Sequence, residues 1–316
     1  YMLNKGVFDD VYELSDTPRD FIMKCMVGGR VMTRCNEKQW QRGKIQDFDA
    51  VSLYPSAMSR LGGYLRGRPK ILTTTDYNVL KKYDGYFIRI EINNVGKEYS
   101  FPLISHKDDT GNREWTNNMQ NKIMYVDKIQ LEDLIQFHEI EFNIIDGYYF
   151  DEGRNNKLKE VIDYLFSKRL ELKSQKNCLE MVYKLIMNSS YGKTLQKPIG
   201  DKLIFKSSDD LPNYLDKNYN YIEKFEQINC HCGVEVLSMS KRIMNEVMCL
   251  AEDNGLSIYY QDTDSMHLRE DDIPKLRDLY MEKYSRELIG KDMGQFHSDF
   301  ESNVIKENIH AEESII

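Results

Sequence analysis

Two carboxylates one residue apart, at the tip of a strand-turn-strand signal, constrain this chain more than its composition does. The run Leu256-Ser257-Ile258-Tyr259-Tyr260 leads into Gln261-Asp262-Thr263-Asp264-Ser265. An apolar, aromatic run that stops at a short polar turn reads as a β-hairpin, so both acids stand at its tip. A sheet ending in acids can hold a divalent cation against a phosphate. By itself Asp-Thr-Asp is mostly turn chemistry. Its company decides. A second acid closes a buried strand, Lys44 to Val51, in Asp49-Ala50-Val51-Ser52-Leu53-Tyr54-Pro55-Ser56, with a turn expected at Tyr54-Pro55-Ser56. Asp47 alternates onto the same face as Asp49.

At 316 residues the chain has room for about two domains of ~150 residues. It is 41% hydrophobic and 30% charged, the balance of a soluble globular protein. No apolar run approaches the ~18–20 residues that cross a bilayer, so no membrane association is expected. Tyr1-Met2-Leu3-Asn4-Lys5-Gly6, soon followed by Asp9, Asp10, Glu13 and Asp16, does not open a secretion signal and suggests a piece of a longer protein. Six cysteines in a chain this long read as free thiols in a reducing, intracellular compartment. Cys230-His231-Cys232 lacks the second ligand pair that structural zinc wants. The net charge of −8 speaks against a sequence-blind nucleic-acid binder. Basic residues do cluster, at Arg66, Arg68 and Lys70 and again from Lys157 to Lys176.

Periodicity places the rest. Residues 1–44 read as a connector punctuated by Gly28-Gly29, Tyr86 to Ile92 as a half-exposed strand, and 103–125 as a polar loop with a turn at Lys107 to Asn112. Helical spacing runs from Leu158 to Asn188 and breaks only at 174–177, which predicts two antiparallel helices. A further helix from Ser238 to Asp253 leads into the acidic hairpin, and 272–289 offers another. Arg169 and Lys173 are four apart, as are Lys184 and Asn188, so each pair shares a helix face. Folded back on one another, the helices set three cations and an amide across a gap that suits a triphosphate. Lys159, Lys168 and Lys176 read as solvated-face lysines.

In order, the Asp49 segment, Lys184-Leu185-Ile186-Met187-Asn188-Ser189-Ser190-Tyr191-Gly192 and the Asp-Thr-Asp segment resemble motifs A, B and C of the family B DNA polymerases. The resemblance implies an α+β fold: an antiparallel palm sheet backed by helices, with a two-helix fingers subdomain at 156–192. It divides the chain into a connector (1–44), a first palm part (45–155) with an insertion near 100–155, a second palm part (193–300) with a small insertion near 198–225, and a segment (301–316) leading toward a thumb. It implies two Mg²⁺ ions, with Mn²⁺ as an alternative, held by Asp49, Asp264 and the Ala50 carbonyl, and Asp262 as a supporting catalytic acid. Ser52, Leu53, Tyr54, Arg169, Lys173, Lys184, Asn188 and Tyr191 become nucleotide-binding residues, with Tyr54 packed under the sugar where a 2′-hydroxyl would sit. Primer-template DNA and deoxynucleoside triphosphates are the implied partners. Gly28-Gly29 resembles the linker of the protein-primed branch of phages, organellar plasmids and viruses, with Met26 in place of its tyrosine, and adds a terminal-protein primer to the expectations. No Asp-x-Glu exonuclease signature precedes Asp49 and no Lys-x-Tyr follows Asp264, so a palm-and-fingers piece of a longer enzyme is expected.

Two other readings stand beside this one. The chain is then a remnant that binds nucleic acid or a partner without turnover, or an RNA-synthesising enzyme or reverse transcriptase sharing the metal chemistry. Tyr54 speaks against RNA synthesis, and Asp-Thr-Asp in place of paired aspartates speaks against reverse transcription.

Overall fold

The computed structural model describes residues 1–38, 40–107, 111–195, 228–298 and 313–315. Its centre is a five-stranded antiparallel sheet in the order Val31–Thr33, Ile258–Asp262, Ser265–Arg269, Ile45–Ala50, Phe296–Ser298. The strand ending at Asp49 and the hairpin carrying Asp264 are thus immediate neighbours, with Ser265 opposite Asp49. Alternation turns Phe48, Ala50, Met266 and Leu268 inward, onto Val236, Ile243 and Val247 of the long helix Cys230–Asp253. The Asp49 strand is half-buried, not buried through, because the odd positions Asp47 and Asp49 face away from that helix.

A second antiparallel sheet, Lys70–Ile71, Ile140–Phe150, Gly85–Val95 and Lys122–Asp127, forms the flank. Its Gly85–Val95 strand is half-exposed as expected from Ile88 on, with Ile88, Ile90 and Ile92 buried and Arg89 and Glu91 partly exposed, whereas at its start both faces are covered, Tyr86 by one apolar cluster and Phe87 by another. Residues 103–125 are not loop throughout: Ser105–Lys107 pairs with Arg113–Trp115, and Lys122–Asp127 is a sheet strand. Buried Leu103, Ile104, Met119 and Met124 explain why this polar-looking stretch is ordered. Residues 108–110 of the expected turn, and the expected insertion at 198–225, lie outside the described residues.

Helix starts differ from the sequence expectation where burial hides periodicity. The long helix begins at Cys230, eight residues before Ser238, because Cys230 to Ser240 is buried on every side and so shows no polar face. Tyr54-Pro55-Ser56 is no turn but the first turn of the helix Leu53–Leu61. Ser52, in the left-handed region (φ 50°, ψ 57°), makes the reversal instead. Pro55 is tolerated there because first-turn N–H groups have no helical acceptor. The two arm helices, Lys157–Ser174 and Glu180–Gly192, fold back across Gln175 to Leu179. The N-terminal stretch sends Met2, Val7 and Val11 into the main core. Among the described residues no helix is long and apolar enough to cross a membrane.

Candidate active site

The acidic hairpin closes through a two-residue turn between the paired Asp262 and Ser265. Thr263 takes the left-handed region (φ 52°) and donates its N–H to the Arg30 carbonyl at 3.0 Å. The Ala50 N–H donates to the Asp264 carbonyl at 2.8 Å, tying the turn to the residue beside Asp49. Asp49 and Asp264 consequently line one cleft of about 710 Å³. Asp47, the geometric rival to Asp49, faces His267 at 3.6 Å and lies outside the cleft. Asp262 is exposed, bonds with the Tyr260 hydroxyl and does not line the cleft either.

Ala50, Ser52, Leu53 and Tyr54 continue the cleft wall. The segment is pinned from outside by Val51, whose N–H donates to the Gln295 carbonyl at 2.8 Å and whose carbonyl accepts from Gly294 at 3.2 Å. Tyr54 stacks on Tyr191, with ring centroids 4.4 Å apart and planes 16° apart. Burial first, then Tyr191 and the Asp264 charge, raise the Tyr54 pKa, which keeps its hydroxyl protonated. Tyr191 itself does not line the cleft; it supports Tyr54 from behind.

The opposite wall is cationic. Arg169, Lys173, Lys184 and Asn188 reach it from the two arm helices. Arg169 bridges three segments, its Nε donating to Glu180 Oε2 and a terminal nitrogen to Ser52 Oγ, each at 3.1 Å. Among the described residues neither Lys173 nor Lys184 enters an ion pair, whereas Lys159 and Lys168 pair with Asp163 and Glu171 along their own helix. Sequence reasoning missed three contributors. Glu180 orients Arg169, His297 lines the cleft from the edge strand, standing opposite Asp49, and Lys291 lines it from the bend that precedes that strand. No motif spacing marks them; the pairing of Phe296–Ser298 with the Asp49 strand brings His297 in.

Among the described residues no three His, Cys, Asp or Glu side chains converge as a metal cluster. Two carboxylates and carbonyl oxygens beside a cationic wall still fit Mg²⁺, which typically takes one or two protein carboxylates and completes its shell with water and phosphate oxygens.

Residues 3–280 match the family of type B DNA polymerases, organellar and viral. The chain belongs to that family. It is 25% identical over 281 residues to a DNA polymerase of Kluyveromyces lactis, covering 80% of itself and 27% of that protein. To the DNA polymerase of Bacillus phage Nf it is 28% identical over 287 residues, 87% of itself and 47% of the relative. A DNA polymerase of Acidianus bottle-shaped virus is 33% identical over 164 residues, 48% of this chain and 23% of that one. The chain therefore spans less than half of the length of these relatives. Its fold resembles phi29 DNA polymerase complexed with primer-template DNA and incoming nucleotide substrates, with a TM-score of 0.64 at 19% identity over 93% of this chain and 51% of that one.

Proposed function

We propose that this polymerase chain carries the nucleotidyl-transfer site of a template-directed DNA polymerase. The observation that carries the reading is one cleft with Asp49 and Asp264 on one wall and Arg169, Lys173 and Lys184 on the other. A triphosphate spanning it meets charged donors along its phosphates, which hold the reacting phosphorus beside the acids. Asp49, Asp264 and the Ala50 carbonyl are the groups that would hold the divalent ions. When bound, such a pair makes a 3′-hydroxyl more nucleophilic and neutralises the pyrophosphate leaving group. Tyr54, backed by Tyr191, presents a rigid, uncharged ring where a sugar would sit and excludes a 2′-hydroxyl by overlap. Primer-template DNA and incoming nucleotides, named with the phi29 complex, are the proposed partners here, the nucleotides being deoxynucleoside triphosphates on the reading of Tyr54. A terminal-protein primer rests on the Gly28-Gly29 resemblance, and no feature of the cleft adds to it.

Primer extension by the chain with Mg²⁺ tests the reading. Asp264→Asn and Asp49→Asn should each lower the rate on the order of 10³-fold, the several kcal/mol that metal-held charge stabilisation supplies. Tyr54→Val should raise ribonucleotide use while deoxynucleotide use persists. A folded chain that extends no primer at any Mg²⁺ concentration would be a binding remnant, and the proposal would fall.

A further inference from the structure

Behind the acidic hairpin lies a buried charge outside the cleft. Arg30, next after Gly28-Gly29, is 3% exposed. A guanidinium has five N–H groups, and here each finds an acceptor. Its Nε donates to Gln261 Oε1 at 2.5 Å. One terminal nitrogen donates to the Phe101 and Pro102 carbonyls at 3.0 and 2.8 Å. The other reaches Asn245 Oδ1 at 3.3 Å and Met248 Sδ at 3.5 Å. None of these is a carboxylate. Asp133 joins the network only through Asn245, whose Nδ2 donates to it at 3.2 Å. Burial pushes the Arg30 pKa down to about 10, so the group is still positive at neutral pH.

A buried charge solvated only by neutral dipoles is a poor device for stability, because apolar residues of similar volume often do as well. What it does provide is a direction. Gln261 lies between Tyr260 and Asp262 on the hairpin, and a one-residue slip of that strand would exchange its inward and outward faces. The Arg30 main chain adds a second hold, since its carbonyl accepts the Thr263 N–H. Gly29 adds a third: a Cβ there would come within 2.6 Å of Thr263 Cγ2, so the turn seats on bare backbone.

We infer that Arg30 is a positioning residue for the metal-binding acid: by clamping Gln261 inward and holding the Thr263 turn, it sets the height at which Asp264 enters the cleft. The inference rests on the proposed metal role of Asp49 and Asp264. It differs from a fold-stabilising role in a way that can be measured, because Arg30 acts on the acidic wall and leaves the arm cations alone.

The test uses the whole chain and two readouts: Mn²⁺ titration followed by the free-ion electron paramagnetic resonance signal, and primer extension at varied nucleotide. Arg30→Met and Gln261→Leu should weaken Mn²⁺ binding about tenfold and lower kcat about 10–100-fold, the cost of a misplaced reacting group, with nucleotide KM held within about twofold. Gln261→Glu, which still accepts from the guanidinium, should recover both. If Arg30→Met does not fold, the Gln261 pair decides. Equal Mn²⁺ affinity in Gln261→Leu, Gln261→Glu and the parent chain overturns the inference. Asp264→Asn separates this from the underlying reading: should it also leave Mn²⁺ binding unchanged, the metal site itself has failed.

Discussion

His138 is buried with both ring nitrogens committed. Its Nε2 accepts the Leu103 N–H at 2.9 Å, and its Nδ1 donates to the Lys97 carbonyl at 2.7 Å. A second proton would have to sit on Nε2, against that N–H. Burial first, with Arg30 adding to it, lowers the pKa to about 4, although the Lys97 carbonyl pulls the other way. The folded value lies below the ~6.5 of an unfolded histidine, so the unfolded state binds more protons as pH falls. Stability is therefore lost progressively from about pH 6.5 down to about 4, by roughly 2 kcal/mol between pH 7 and pH 5. Asp133 and Asp127, raised by burial to about 6 and about 7, work in the opposite sense over much of that range and mask the effect in a single melt. The comparison that isolates it is His138→Gln, whose melting temperature should fall less between pH 7 and pH 5 than the parent's. Parallel curves would show that His138 protonation does not drive the loss.

The arm helices act as a unit because their hydrogen bonds leave selected cations uncommitted. Asn177 organises the reversal, accepting the Leu179 N–H on its side chain at 3.0 Å and the Glu180 N–H on its carbonyl at 3.1 Å. Glu180 then holds Arg169, which in turn reaches Ser52. This clasp fixes the gap between arm and palm while Lys173 and Lys184 point into the cleft. Lys176 sits on the reversal at φ 54° and is exposed, away from it. Removing a charged hydrogen bond to phosphate is worth ~1.5–3 kcal/mol, so Lys184→Ala should raise nucleotide KM about 10–150-fold. Lys176→Ala should leave it near the parent value. Steady-state titrations at saturating primer-template compare the two, and equal effects would mean diffuse electrostatics in place of a docked triphosphate.

At the scale of the molecule, the long helix Cys230–Asp253 is the shared wall of all three apolar clusters, through residues such as Val247, Cys249 and Val234. Buried ion pairs orient it. Arg154 binds Glu235, 1% exposed at its side chain, through two bonds of 3.0 and 2.7 Å. Glu246 is shared by Arg60 and Arg286, and Arg242 joins Asp133 and Glu132. Breaking one such pair strands a charge, so Arg154→Met should cost about 3–5 kcal/mol in urea unfolding. Replacing both partners, Arg154→Met with Glu235→Leu, should recover most of that loss. A single variant as stable as the parent would show the pair to be solvated well enough to be dispensable.

Much of this was legible in residue order alone. Asp-Thr-Asp after an aromatic run located the hairpin, and the four-residue spacing of Arg169 with Lys173 and Lys184 with Asn188 put those groups on arm faces that do reach one cleft. Such features are local: turn chemistry and helix periodicity act over a few residues and leave a readable pattern. The pattern fails where burial is complete, as in Cys230 to Leu237 and Tyr86 to Ile88, because a segment covered on all sides has no polar face to mark its period. It fails also for Glu180, Lys291, His297 and Arg30, whose places depend on which distant strand or helix lies alongside. Strand order and the close contact of Gly29 with Thr263 are settled only when the whole core packs, since each pairing is chosen against every other way of burying the same apolar surface.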